Sequence, residues 1–157
     1  MSERSVYHST FVIERMLDAP VAQVFAAFSD PEIHDRWFVK ADGWPIAEYT
    51  HDFRVGGRES GRFSRGGKKI YFNETIYLDI VKDKRIAFAY SMADEEACFS
   101  ASVATVELLR SGSGTKLIFT EQGAFFDGRD QPADREAGWT SILNALEAEL
   151  NRQEQVA

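Results

Sequence analysis

Apolar residues near the C-terminus recur at Trp139, Ile142, Leu143, Leu146 and Leu150, a spacing of i, i+3, i+4, i+7 and i+11. That is one continuous stripe on a 3.6-residue period, and it predicts a long amphipathic helix with a single buried face. From Glu48 to Gly123 the period changes to two, with strands predicted at about 48–55, 58–65, 69–80, 85–93, 97–110 and 114–123. Gly56-Gly57, Gly66-Gly67, Lys82-Asp83-Lys84 and Ser111-Gly112-Ser113-Gly114 mark the turns between them. Connections this short pair sequence neighbours antiparallel.

The N-terminal third has a different rhythm. Residues Ser9 to Asp18 read as a strand with Phe11, Ile13 and Leu17 on one side. Pro20 then falls in the first turn of a short helix whose apolar face is Val21, Val24, Phe25 and Phe28. Asp30-Pro31 is an N-cap followed by proline at the first helical position, opening a second short helix through Trp37. Gly43 and Pro45 punctuate the loop after it, and Phe125-Phe126 fall in a loop before the long helix. The predicted order is strand, two helices, six strands and one long helix. The chain reads as one α+β domain over 1–157, with its core at about 9–151. A lone helix on a curved antiparallel sheet leaves room for a pocket between them.

Composition narrows the classes. A chain of 157 residues buries roughly 70% of its unfolded surface. Cys98 is the sole cysteine, so no intramolecular disulfide forms; it is expected as an inert packed thiol in a cytoplasmic protein. The polar N-terminus argues against secretion, and no apolar run approaches the roughly 20 residues of a membrane span. A formal charge of −7 disfavours nucleic acid as a partner. Arg54, Arg58, Arg62, Arg65, Lys68 and Lys69 run against that charge in one glycine-rich stretch. They read either as a solvated hairpin or as a tip that docks an anion or a protein.

Reactive signatures are few. His8, His34 and His51 are scattered, without a second cysteine or a paired-histidine helix motif, so no metal, cofactor or catalytic residue is assigned. The informative residues are polar ones phased with apolar neighbours. Glu74 alternates with Ile70, Phe72, Ile76, Leu78 and Ile80, and Glu121 with Leu117 and Phe119. If Leu117 pairs with Leu108, Phe119 meets Val106 and Glu121 meets Ala104. Arg15 shares the Phe11–Leu17 face. A buried carboxylate needs a partner, water or a ligand. Glu74 and Glu121 are therefore either paired, with Arg15 the available cation, or polar anchors inside an apolar pocket. Phe72, Tyr90, Trp139 and Leu143 are expected to line that pocket, with Trp37 and Trp44 near its entrance.

Several short motifs stand in a meaningful order. Arg15-Met16-Leu17-Asp18-Ala19-Pro20 with Val24-Phe25, then Asp30-Pro31 and Arg36-Trp37, resembles the start of START-like (SRPBCC) domains. Asp52-Phe53-Arg54-Val55-Gly56-Gly57 is similar to the Asp-x-Arg-x-Gly-Gly element of the branch related to the activator of the heat-shock-protein ATPase. Gly114-Thr115 entering a strand, and Gly138-Trp139 in a helix running through Leu143, Leu146 and Leu150, resemble that branch's end. The resemblance implies a helix-grip fold: a curved antiparallel sheet of about seven strands around a long C-terminal helix, with two short helices after the first strand. Such domains carry hydrophobic ligands, stimulate chaperones, or act as polyketide cyclase-like or hydratase-type enzymes, so family fixes fold and leaves function open. A small, mostly apolar or aromatic ligand is the leading expectation, and a chaperone or other protein partner the alternative. A symmetric dimer is the default for oligomeric state.

Overall fold

In the computed structural model, residues 4–39, 46–65 and 69–156 are described. Strand β1 (Val6–Leu17) leads into helices α1 (Val21–Ser29) and α2 (Pro31–His34) and a π-helical turn (Asp35–Val39). A meander follows: β2 (Ile46–His51), β3 (Arg58–Arg65), β4 (Lys69–Val81), β5 (Arg85–Asp94), β6 (Cys98–Ser111) and β7 (Gly114–Phe126). Helix α3 (Pro132–Val156) closes the chain. The described residues form one antiparallel sheet ordered β1-β7-β6-β5-β4-β3-β2. The first strand thus pairs with the last, while α1, α2 and the π turn carry the chain to the opposite edge. This is the helix-grip fold.

Each expected local signal has its physical counterpart. Asp30 caps α2, its Oδ1 accepting the Glu32 and Ile33 N–H groups at 2.9 and 3.4 Å. The helical stripe is the seam on the sheet: Trp139, Leu143, Leu146 and Leu150 are all buried against residues such as Phe119 and Leu117. The β6–β7 register is Leu108↔Leu117, Val106↔Phe119 and Ala104↔Glu121, as the alternation requires. Thr115 Oγ1 donates to the Ala19 carbonyl at 2.7 Å, fastening the end of β1. A Cβ on Gly114 would sit 2.4 Å from the Leu17 carbonyl oxygen, so only glycine allows that approach.

Four expectations are corrected. β2 stops at His51, because Asp52–Gly57 folds into a turn with Gly56 at φ +82°. β7 runs on through Phe126, so Phe125-Phe126 belong to a strand, with Phe125 buried. Cys98 is exposed, at the start of β6. The fourth concerns β4, whose register shifts between Tyr77 and Asp79. That bulge leaves Leu78 opposite no partner and reverses the alternation. Thr75 and Tyr77 face inward, while Phe72, Glu74 and Ile76 lie on the outer face. Trp44 lies outside the described residues. Among those residues, no helix is long and apolar enough to cross a membrane.

Candidate functional site

Two polar centres stand on the inner face of the sheet. The first is built on Glu121, whose side chain is fully buried in β7. Tyr90 Oη donates to Glu121 Oε1 at 2.5 Å, and Ser102 Oγ donates to Oε2 at 3.3 Å. The same Tyr90 oxygen accepts from Trp139 Nε1 and Arg135 Nη1, both at 3.0 Å. Arg135 lies 3.6 Å from Glu121 Oε2 and also donates to Ser100 Oγ at 2.7 Å and Asp130 Oδ2 at 2.8 Å. Burial raises the Glu121 carboxyl, and the Tyr90 hydrogen bond and the Arg135 charge offset only part of that. Burial likewise pushes the Tyr90 hydroxyl up, with the neighbouring Glu121 charge adding to it.

Glu121 is therefore inward, as its strand phase required, but it is not an unattended anchor. Its cation is Arg135, fourteen positions on in sequence, while Arg15 donates to Asn144 Oδ1 at 3.2 Å. A hydroxyl with its proton and both lone pairs engaged, and a carboxylate with three partners, make a clamp that holds the start of α3 on the sheet.

The other expected site residues divide. Tyr90 and Trp139 join Glu121 in that clamp. Leu143 is 1% exposed and seals the seam rather than bordering open space. Trp37 is 2% exposed, its indole N–H donating to the Ala27 carbonyl at 2.9 Å and its ring edge-on to Phe28, so it is core rather than an entrance. Phe72 lies half-buried on the outer face beneath the Arg62 guanidinium, 5.8 Å from the ring centre. Glu74 is exposed there too and accepts from Ser60 Oγ at 2.5 Å. It borders a shallow outer furrow of about 660 Å³ running from Arg58 across to Gln122.

The second centre was not foreseen. His34 at the end of α2, His51 at the end of β2 and Glu59 in β3 converge, with one ligand atom from each lying within 4.8 Å of the others. The Asp-x-Arg-x-Gly-Gly turn builds half of it. Gly57 N–H donates to the Arg54 carbonyl at 2.7 Å, and Tyr77 brackets the turn through Gly56 N–H (2.8 Å) and the Gly57 carbonyl (3.0 Å). This turn sets His51 directly opposite Glu59. A Cβ on Gly57 would lie 2.2 Å from the Asp52 carbonyl oxygen, so the motif is a turn device.

His34 is held between two rings, His51 at 4.3 Å and Phe38 at 4.7 Å between centroids. Its Nε2 lies 3.6 Å from Glu59 Oε1. Tyr77 Oη donates to Glu59 Oε2 at 2.5 Å. That proton is spent, so the 3.1 Å contact between His51 Nε2 and Tyr77 Oη has the imidazole as donor and leaves the lone pair on Nδ1. Burial, helped by the nearby His51, drives His34 down to about 3, and burial also lowers His51 against the pull of Asp52. Burial pushes Glu59 up to about 7, with the Tyr77 hydrogen bond opposing. His34 Nδ1, His51 Nδ1, Glu59 Oε1 and the Tyr49 hydroxyl are all buried without a hydrogen-bond partner. Each such atom costs about 1–3 kcal/mol.

Between the centres stands an aromatic wall. The partly buried rings of Phe38 and Phe88 lie 6.0 and 6.2 Å from Trp139, Phe38 lies 6.3 Å from Tyr49, and Phe53 lies 5.0 Å from Tyr77.

The motif turn, the sheet order and the helix seam are those of a known group. The family model described as Activator of Hsp90 ATPase homolog 1-like protein matches residues 18–151. The chain belongs to this family. Its fold is shared with a crystal structure of the Mll3558 protein from Rhizobium loti, 50% identical, at a TM-score of 0.86 over 93% of this chain and 99% of that one. A putative uncharacterized protein from Rhizobium leguminosarum is 40% identical, at a TM-score of 0.90 over 96% of this chain and 99% of that one. The solution structure of an AHSA1-like protein from Aeromonas hydrophila is 18% identical and shares the fold at a TM-score of 0.67, over 93% of this chain and 94% of that one. No functionally curated protein matches the chain. Within the family fold, the Glu121 clamp fastens α3, and the open chemistry lies with His34, His51, Glu59 and Tyr49.

Proposed function

We propose that the protein binds a small, mostly apolar or aromatic ligand on the inner face of its sheet, beside the π turn rather than under the α3 seam. The observation that carries this reading is the Tyr49 hydroxyl, buried and unpartnered, on a ring that lies 6.3 Å from the half-buried Phe38 ring. Apolar walls with a few convergent polar groups are the usual make-up of a small-molecule site. A ligand carrying one hydrogen-bonding group would cover the rings and satisfy the phenol.

Native mass spectrometry of protein purified from its source tests the reading, followed by titration of a panel of aromatic and aliphatic compounds monitored by amide NMR. Saturable shifts centred on Phe38, Tyr49 and Phe88, weakened in Phe88→Ala, are expected. Shifts confined to the outer face, or no saturable binding across the panel, would overturn it.

A protein partner is the second reading. It is favoured by Arg58 and Arg62, both exposed on the outer face of β3 in a chain of net charge −7. Binding through them would be salt-sensitive, since exposed charges are screened over about 8–10 Å. Charge reversal at Arg58 and Arg62 that left lysate partners unchanged would remove it.

A further inference from the structure

We propose that His34, His51 and Glu59 form a binding site for a divalent transition-metal ion of the zinc type. The sequence pattern assigns no metal ligand, because three separate elements have to converge before this set exists. This inference does not rest on the ligand reading above.

The donor chemistry is that of a mononuclear centre with two imidazoles and one carboxylate. One nitrogen from each ring and one Glu59 oxygen already lie within 4.8 Å of one another. Around a tetrahedral ion with bonds of about 2.0–2.2 Å, donors stand about 3.3–3.6 Å apart. His34 Nε2 and Glu59 Oε1 are at that spacing now, 3.6 Å. Binding an ion requires the remaining donors, now within 4.8 Å, to draw closer, with His51 turning out of its stack on His34.

Burial is the independent sign. His34 and Glu59 are each 4% exposed, and the Glu59 Oε1 and His51 Nδ1 atoms of the cluster are buried with no hydrogen-bond partner. A purely structural cluster at this depth pairs its atoms, as the Glu121 clamp does. Here Tyr77 Oη orients the second Glu59 oxygen, as outer-sphere donors do for metal carboxylates. The Phe38 ring stacks on His34 at 4.7 Å and steadies its plane. Three protein ligands leave a fourth position for water or for an oxygen of a bound molecule.

The test uses the untagged full chain, stripped with chelator and titrated with Co²⁺ alone and then Zn²⁺ alone. One Co²⁺ per chain is expected, with the visible absorption of a low-coordinate site, displaced by Zn²⁺. His51→Gln and Glu59→Gln, each checked for folding by circular dichroism, should weaken uptake by more than about tenfold. His8→Ala, an exposed residue on β1, should bind as wild type does. Histidine ring NMR of the wild type gives a readout free of any folding defect: Zn²⁺ should move the His34 and His51 resonances and leave His8 in place. No stoichiometric uptake by the folded wild type, unchanged uptake in both glutamine variants, or ring shifts confined to His8 would each overturn the proposal.

Discussion

Tyr90 Oη and Glu121 Oε1 are 2.5 Å apart, and that hydrogen bond anchors a hydroxyl to which both Trp139 and Arg135 of α3 donate. Tyr90→Phe keeps the ring and removes this junction. It leaves the Trp139 indole N–H and one Glu121 oxygen without partners in a buried site. A loss of about 2–3 kcal/mol is expected. Urea unfolding should show a lower midpoint with an unchanged slope.

The buried Glu121 and the exposed Glu74 should respond differently to the same substitution. Burial holds the Glu121 carboxyl above its ordinary value, so its contribution to stability is complete below the unfolded pKa of about 4.3 and is lost as pH rises through the folded value. Wild type should therefore lose stability relative to Glu121→Gln between pH 4 and pH 8. Glu74 is exposed, with Ser60 as its hydrogen-bond partner, and Glu74→Gln should stay within about 0.5 kcal/mol of wild type at neutral pH. Urea titrations across that range check the first, and a urea titration at neutral pH checks the second.

Acid stability should depend on Glu149. Burial opposes its ionisation, yet hydrogen bonds from Arg152, Arg36 and Gln153 outweigh it and hold the carboxyl at about 2. A depressed carboxyl contributes stability above the unfolded value of about 4.3 and loses it as pH falls toward 2. Glu149→Gln should flatten that acid limb, read as the slope of stability against pH from 5 to 2.

Gly57→Ala should be costly out of proportion to one methyl group. Its Cβ would lie 2.2 Å from the Asp52 carbonyl oxygen and 2.9 Å from that of Arg54, both backbone atoms of a turn pinned to Tyr77. Overpacking of this kind costs about 1–3 kcal/mol. Thermal melts should show the loss, and amide NMR should show the disturbance spreading to His51 and Glu59.

Much of this protein was legible from its sequence alone. The α3 stripe, the period-two strands, the Asp30-Pro31 cap and the Ala104↔Glu121 pairing follow from short-range geometry, in which each residue's face is set by its distance along the chain from its neighbours. The His51–Glu59 pairing was also within reach, because the Gly56-Gly57 turn fixes that register. Tertiary structure decided the rest. One bulge at Leu78 moved Phe72 and Glu74 to the outer face, since a single unpaired residue reverses a period of two. Arg135, rather than Arg15, became the cation of Glu121 because the turn before α3 brings the helix back over β7. Trp37 became core, and His34 joined His51 and Glu59, only once α2 was laid across the sheet edge. Periodicity tells which residues share a face; it carries no information about which distant element will cover that face.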